Sequence, residues 1–217
     1  NLAAYSTDDP KGKLVPDFLD SLSHHFAETR ARLLLEGESL QRNVDHIKEI
    51  VAMQQTYATA IGVIEPMDPA VLMEDSLRMN TSALQRHAIR VVRDFNAVPA
   101  VLADRGKALQ ILVNLISNAK YAAEKGAQPE KIITLRIAAG DTGHVQLSVK
   151  DNGEGIPVEN LGRIFNHGFT TKANGHGFGL HCSANAAREM KGSLTVHSDG
   201  PGTGATFVLD LPTSTSV

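Results

Sequence analysis

The sequence predicts an α+β chain, a long helix followed by a domain in which helices and antiparallel strands segregate. Three observations predict it. A heptad rhythm of apolar residues runs from Pro16 to about Ala60, a stretch with no further proline and a single glycine, Gly37. Helix starts then stand at Asp68-Pro69 and at Asp104. Beyond them apolar and polar residues alternate from Ile133 to Ile137 and from Val145 to Val149, the period of two that half-buried antiparallel strands require.

Composition narrows the class further. Of 217 residues, 21% are charged and 42% hydrophobic, the balance of a globular rather than a disordered chain. A net charge of −3 leaves no basic footprint for nucleic acid or an anionic membrane, so no nucleic-acid partner is expected. No apolar run approaches the ~18 residues of a membrane span, and no signal peptide is apparent. The single cysteine, Cys182, excludes an internal disulfide and makes a cytoplasmic location the expectation. On a predicted helix it reads as a packing residue.

The elements follow in order. Residues 1–15 are polar, with Asp8-Asp9-Pro10 and Lys11-Gly12-Lys13, and read as a flexible terminus. Residues 16–62 read as the long helix. One row holds Leu19, Phe26, Leu33, Leu40 and Ile47; a second holds Leu22, Ile50 and Tyr57, with Thr29, Glu36 and Asn43 between them. Such a stripe has no partner within its own helix and calls for a second helix, from another copy of the chain. Forty-odd residues would span ~65 Å, longer than a small domain is wide. The segment 62–69 breaks the helix. Asp68 and Pro69 suit an N-cap and first turn, and the next helix runs from about Ala70 to Arg86. A strand is predicted over His87–Asp94, and a helix capped by Asp104 to about Glu124. Two alternating strands follow, then a glycine-rich loop over 151–178 with a short helix after Pro157. A helix from Phe178 to Lys191 and two strands, holding Leu194 and Val196, then Phe207, Leu209 and Leu211, complete the domain.

Three clusters carry chemistry. Asn114, Asn118 and Tyr121 are spaced four and three apart, so they share one helix face. Their carboxamide oxygens suit a hard cation such as Mg²⁺; a solvated polar face would read the same way. Asp151-Asn152-Gly153-Glu154-Gly155-Ile156 directly follows a strand. Its carboxylate can accept a hydrogen bond from the amino group of a base while the glycines admit close backbone approach, although the run also suits a tight turn. Phe165-Asn-His-Gly-Phe169-Thr-Thr-Lys172 precedes Gly175-His-Gly177-Phe-Gly179-Leu180. Alternate glycines before a helix offer backbone N–H groups to phosphate; a flexible linker is the other reading.

The order of these clusters resembles the N, G1, F and G2 boxes of the ATP-binding fold shared by histidine kinases, type II topoisomerases, Hsp90-type chaperones and mismatch-repair ATPases. The resemblance covers about residues 66–212, and the Phe-Thr-Thr-Lys form looks most like the nitrogen-regulator class of sensor kinases. It implies a two-layer α/β sandwich preceded by a dimerisation helix. It implies ATP and Mg²⁺ as ligands, with Asn118 on the metal, Asn114 as a polar or catalytic group near the phosphates, and Tyr121 beside the nucleotide. Asp151 would hold the adenine amino group, with Gly153, Gly155 and Ile156 along the base. Thr171 and Lys172 would belong to a lid, and Gly175, Gly177, Gly179 and Leu180 would follow the phosphates. The pattern departs at Lys120, which directly follows Ala119. His176 and His181 read as surface or packing residues.

A sensor histidine kinase of a two-component system would transfer the γ-phosphoryl group to a histidine and then to a response regulator's aspartate. The usual acceptor box is absent here. His46, in Asn43-Val-Asp-His46-Ile-Lys-Glu49, is the nearest acceptor, with Asp45 and Glu49 able to orient its ring; His24 and His25 are rivals. The expected partners are a second copy through the long helix, a receiver domain and a sensor domain upstream of Asn1. A non-catalytic ATP-binding regulatory module is the alternative. A conformational ATPase, which would need a transducer domain after the ATP site, fits less well.

Overall fold

The computed structural model describes residues 10–11, 14–58, 62–141, 143–172 and 177–214, with backbone alone for residue 16 and residues 38–58. The chain divides into two units, Asn1–Ala52 and Met53–Val217.

Helix α1, Val15–Ala58, makes up the described part of the first unit and continues into the first residues of the second. Its heptad row is uncovered in the single chain: Leu19, Phe26 and Leu33 are 56%, 63% and 60% exposed. In the second row Leu22 and Thr29 are half-buried. The side chains of Leu40, Asn43, Ile47, Ile50 and Tyr57 lie outside the described residues, as does most of the terminus over 1–15. Among the described residues no helix is long and apolar enough to cross a membrane.

The second unit is an α+β sandwich of two layers. Its elements are β1 (Glu65–Met67), α2 (Pro69–Arg86), β2 (Arg90–Phe95), β3 (Val101–Ala103), α3 (Arg105–Lys125), β4 (Ile132–Ala139), β5 (His144–Asp151), α4 (Val158–Leu161), α5 (Gly179–Glu189), β6 (Ser193–His197) and β7 (Thr206–Pro212). Helices α2 and α3 begin where the sequence places them. Asp68 accepts the N–H of Ala70, and Asp104 accepts those of Gly106 and Lys107, each cap contributing about 1 kcal/mol.

The main sheet has the order β2-β4-β5-β7-β6, and β1 pairs with β3 in a second, small sheet. The main sheet is mixed rather than purely antiparallel: β2 runs parallel to β4, and the chain between them carries α3 as the crossover that parallel neighbours need. Ile133, Leu135 and Ile137 of β4, Val145, Leu147 and Val149 of β5, and Leu209 and Leu211 of β7 are buried against Leu72, Leu112, Leu115 and Ile116 of the helices. The intervening Thr134, Arg136, Gln146 and Ser148 are less covered, so the alternation of the sequence is the division between core and open face.

The strand expected over His87–Asp94 begins later, at Arg90. His87 instead caps α2, Ala88 takes a left-handed φ of 53°, and Ile89 N–H donates back to Leu84 O. This is the six-to-one closure that usually carries glycine; α2 ends at Arg86 as the sequence predicts, and the closing turn takes up His87–Ile89, which delays the strand to Arg90. Lys191, with φ 59°, ends α5 likewise, and Gly192 N–H donates to Ala187 O. Strands β1 and β3 went unpredicted because three residues each give no readable period, and their pairing is tertiary.

Candidate nucleotide-binding site

Burial of Leu112, Leu115, Ile116 and Ala119 fixes the rotation of α3 and turns Asn114, Asn118 and Tyr121 to its half-buried opposite face. Each carboxamide then meets a different element. Asn114 Nδ2 donates to Ser183 Oγ on α5 at 3.0 Å. Asn118 Oδ1 accepts from Lys172 Nζ at 2.6 Å, and that ammonium lies 4.7 Å from the centre of the Tyr121 ring, a cation–π distance. The lysine of the Phe-Thr-Thr-Lys segment is therefore folded onto α3. Thr170 Oγ1 accepts the Lys172 N–H at 3.1 Å, and Thr171 is exposed. Lys120 points elsewhere: its Nζ lies 3.2 Å from Glu124 Oε1, which His87 Nδ1 also approaches to 3.2 Å.

Asp151 ends β5 with 2% of its surface exposed. Its carboxylate accepts the N–H of Gly153 at 2.9 Å. Burial pushes its pKa up to about 6, opposed by the N–H groups of Gly153 and Ala205 and aided by the charge of Glu154. A carboxylate held in this way is an acceptor kept out of water, which characterises functional positions more often than structural ones.

The following loop is clasped from two sides. Glu154 N–H donates to Ala122 O at the end of α3 at 3.1 Å, and a Cβ on Gly153 would come 2.2 Å from the Ala122 carbonyl carbon. On the other side lies the turn between β6 and β7. Ser198 Oγ accepts the N–H of Ile156 at 3.0 Å and donates to Gly204 O at 2.7 Å, while Gly202 N–H donates to Glu154 O at 2.6 Å. Gly155 and Gly204 have φ of 71° and 75°, and a Cβ on them would meet Gly200 O at 2.1 Å and Asp151 O at 2.0 Å. Sequence reasoning missed this turn. Its signal was present in Gly200-Pro-Gly202-Thr-Gly204, a second run of alternate glycines.

The third wall comes from residues 165–172 and the start of α5. Gly168 N–H donates to Gly177 O at 3.1 Å, which ties the phenylalanine segment to the residues just before α5. Asn185 Nδ2 lies 3.1 Å from His181 Nε2 and can only donate there, so His181 carries its proton on Nδ1 and donates to Phe165 O at 3.0 Å. His181 is thus a packing residue that ties the phenylalanine segment to α5, and His167 meets Phe178 at a tilt and His181 edge-on. Ile156, Phe165, Phe169 and Leu180 pack on the core. Gly179 and Leu180 form the first turn of α5, whose N-terminus no described side chain caps, leaving its first N–H groups to other acceptors. Gly175 and His176 lie outside the described residues, as does the side chain of His46 on α1; His24 and His25 are exposed on that helix.

The second unit therefore assembles a desolvated carboxylate, two carboxamides, an ammonium and a helix start without a side-chain cap among the described residues. Among the described residues no group of three His, Cys, Asp or Glu side chains could hold a metal. A hard cation here would rely on a carboxamide oxygen and its ligand's phosphates, the usual Mg²⁺ arrangement. Asn118 Oδ1 fits that use, since it already attracts the Lys172 ammonium.

The sequence profile of the histidine kinase-, DNA gyrase B-, and HSP90-like ATPase family matches residues 103–215. The chain is 33% identical over 193 residues to the two-component sensor PprA of Pseudomonas aeruginosa, covering 82% of this chain and 20% of that protein. It is 31% identical to the sensor histidine kinase ZraS of Klebsiella oxytoca, covering 89% and 39%. The chain thus spans between a fifth and two fifths of the length of these relatives. Among solved structures, full-length ShkA in complex with AMPPNP matches with a TM-score of 0.67 at 26% identity, over 91% of this chain and 46% of that one. The mycobacterial sensor histidine kinase MprB matches with a TM-score of 0.58 at 25% identity, over 69% and 97%.

Proposed function

Because the chain belongs to the histidine kinase-, DNA gyrase B-, and HSP90-like ATPase family, we propose that it binds Mg-ATP and transfers the γ-phosphoryl group to a histidine, as part of a two-component sensor kinase. The observation that carries this reading is the buried Asp151 carboxylate, at the head of a loop clasped between α3 and the β6–β7 turn. In that position it accepts a hydrogen bond from the adenine amino group, while Gly153, Gly155 and Ile156 lie along the base. Asn118 offers its oxygen to Mg²⁺. Asn114 and Tyr121 face the nucleotide from the same side of α3. Gly175, Gly177, Gly179 and Leu180 follow the phosphates into the start of α5.

When bound, Mg²⁺ neutralises charge on the γ-phosphoryl oxygens. Thr171 and Lys172 lie over the site as a lid, keeping out water and adding a positive charge. His46 is the proposed acceptor, with His25 and His24 as rivals. The exposed row of Leu19, Phe26 and Leu33 on α1 supports a homodimer formed through that helix. A response regulator's receiver domain then takes the phosphoryl group on an aspartate. A sensor domain ahead of α1 and a cytoplasmic site of action complete the reading.

The test is incubation with γ-labelled ATP and Mg²⁺. The expected label is acid-labile and base-stable and disappears in His46→Ala. Asn118→Ala should lower Mg²⁺-dependent labelling by about 100-fold without lowering the unfolding midpoint. A chain that binds ATP but takes up no label on any histidine would place the acceptor outside these residues or make the chain a nucleotide-sensing module.

A further inference from the structure

The two carboxamides on α3 are tethered differently. Asn118 is held by a loop lysine that can exchange partners. Asn114 is held by α5: its Nδ2 donates to Ser183 Oγ, and a Cβ on Gly179 would come 2.8 Å from its Oδ1. Ser183 is 4% exposed. The other buried positions of α5 are Ala184 and Ala187, where alanine favours the helix and carries no polar group to satisfy. A buried serine in that company is explained by the partner it binds. The same Cβ on Gly179 would come 3.1 Å from Nδ2, so the whole Asn114 carboxamide lies against the first turn of α5 with Nδ2 committed to Ser183.

We infer that Ser183 is a positioning residue, which fixes the Asn114 carboxamide against the first turn of α5 and so sets the group that faces the phosphoryl centre. The inference rests on the proposed Mg-ATP reading of the site. It assigns Ser183 no contact with nucleotide; the hydroxyl acts through Asn114.

The experiment is a double-substitution cycle on the full chain with Ser183→Ala and Asn114→Ala. One readout is release of the γ-phosphoryl group from Mg-ATP, to histidine or to water, alongside nucleotide affinity. The other is hydrogen exchange of the Asn114 side-chain amide followed by NMR. Ser183→Ala is expected to slow phosphoryl release about tenfold while changing nucleotide affinity less than about threefold. In the Asn114→Ala background it should have no further effect, within about twofold. It should also speed exchange of the Asn114 amide protons. Equal slowing in both backgrounds would make Ser183 a packing residue and overturn the inference, as would no slowing in the wild-type background. A wild-type chain that releases no phosphoryl group defeats the proposed function instead. The exchange measurement then decides alone: faster exchange in Ser183→Ala supports the positioning role, and unchanged exchange rejects it.

Discussion

Asp151→Asn is expected to weaken nucleotide binding at neutral pH by about 10- to 100-fold, the worth of a hydrogen bond to a charged, buried acceptor. The wild-type carboxyl also gives that loss a pH signature. Its pKa is raised to about 6 from an aspartate's ordinary 3.8, chiefly by burial, so between these values the folded protein holds a proton that the unfolded chain has released. Stability from this group is therefore present below pH ~4 and is lost as pH rises through about 6. Nucleotide affinity runs the opposite way, because only the ionised group offers both oxygens as acceptors. Affinity should rise through pH 6 in the wild type and stay flat in Asp151→Asn. Taking the difference between the two proteins removes the ligand's own titration. Calorimetric titrations from pH 5 to 8 giving parallel curves would reject Asp151 as the base acceptor.

Gly204→Ala is expected to destabilise the second unit by about 3 kcal/mol. A left-handed φ costs an alanine about 1–2 kcal/mol, and forcing a methyl into close-packed backbone adds about 1–3 kcal/mol. Here the φ is 75° and the methyl would sit 2.0 Å from Asp151 O. Relief requires the β6–β7 turn to lift away from β5, which also loosens the Ala205 N–H held near the carboxylate. The unfolding midpoint should fall by about 6–12 °C, with a loss of nucleotide affinity. A midpoint within about 2 °C of wild type would mean that the turn is not fixed against Asp151.

What the sequence revealed and what it hid divide along a physical line. Local chemistry was legible. Asp68 and Asp104 cap the helices they precede, Ile133 to Ile137 and Val145 to Val149 bury alternate residues, and the spacing of Asn114, Asn118 and Tyr121 placed them together on α3. Contacts made across the chain were not. The parallel pairing of β2 and β4, the reach of Lys172 back to Asn118, and the seat of Asp151 against Ala205 depend on where distant segments come to rest. The late start of β2 was hidden for a different reason: after α2 ends at Arg86 as predicted, Ala88 occupies a glycine conformation and holds His87–Ile89 in the closing turn of the helix. At the site itself, the run 200–204 carried the same alternate-glycine signal as 175–179, but it lay between two strands and went unread as part of the site.

The two non-glycine residues in left-handed conformation, Ala88 and Lys191, have a consequence for engineering. Each ends a helix, at the foot of α2 and of α5, and neither makes a described contact with Asp151, Asn114 or Asn118. Each therefore stores local strain of about 1 kcal/mol in a place that has no part in ligand chemistry. Glycine at these positions releases that strain at a smaller cost in chain entropy. The domain thus carries its own stability reserve, open to a designer who wants a sturdier scaffold around an unaltered binding cleft.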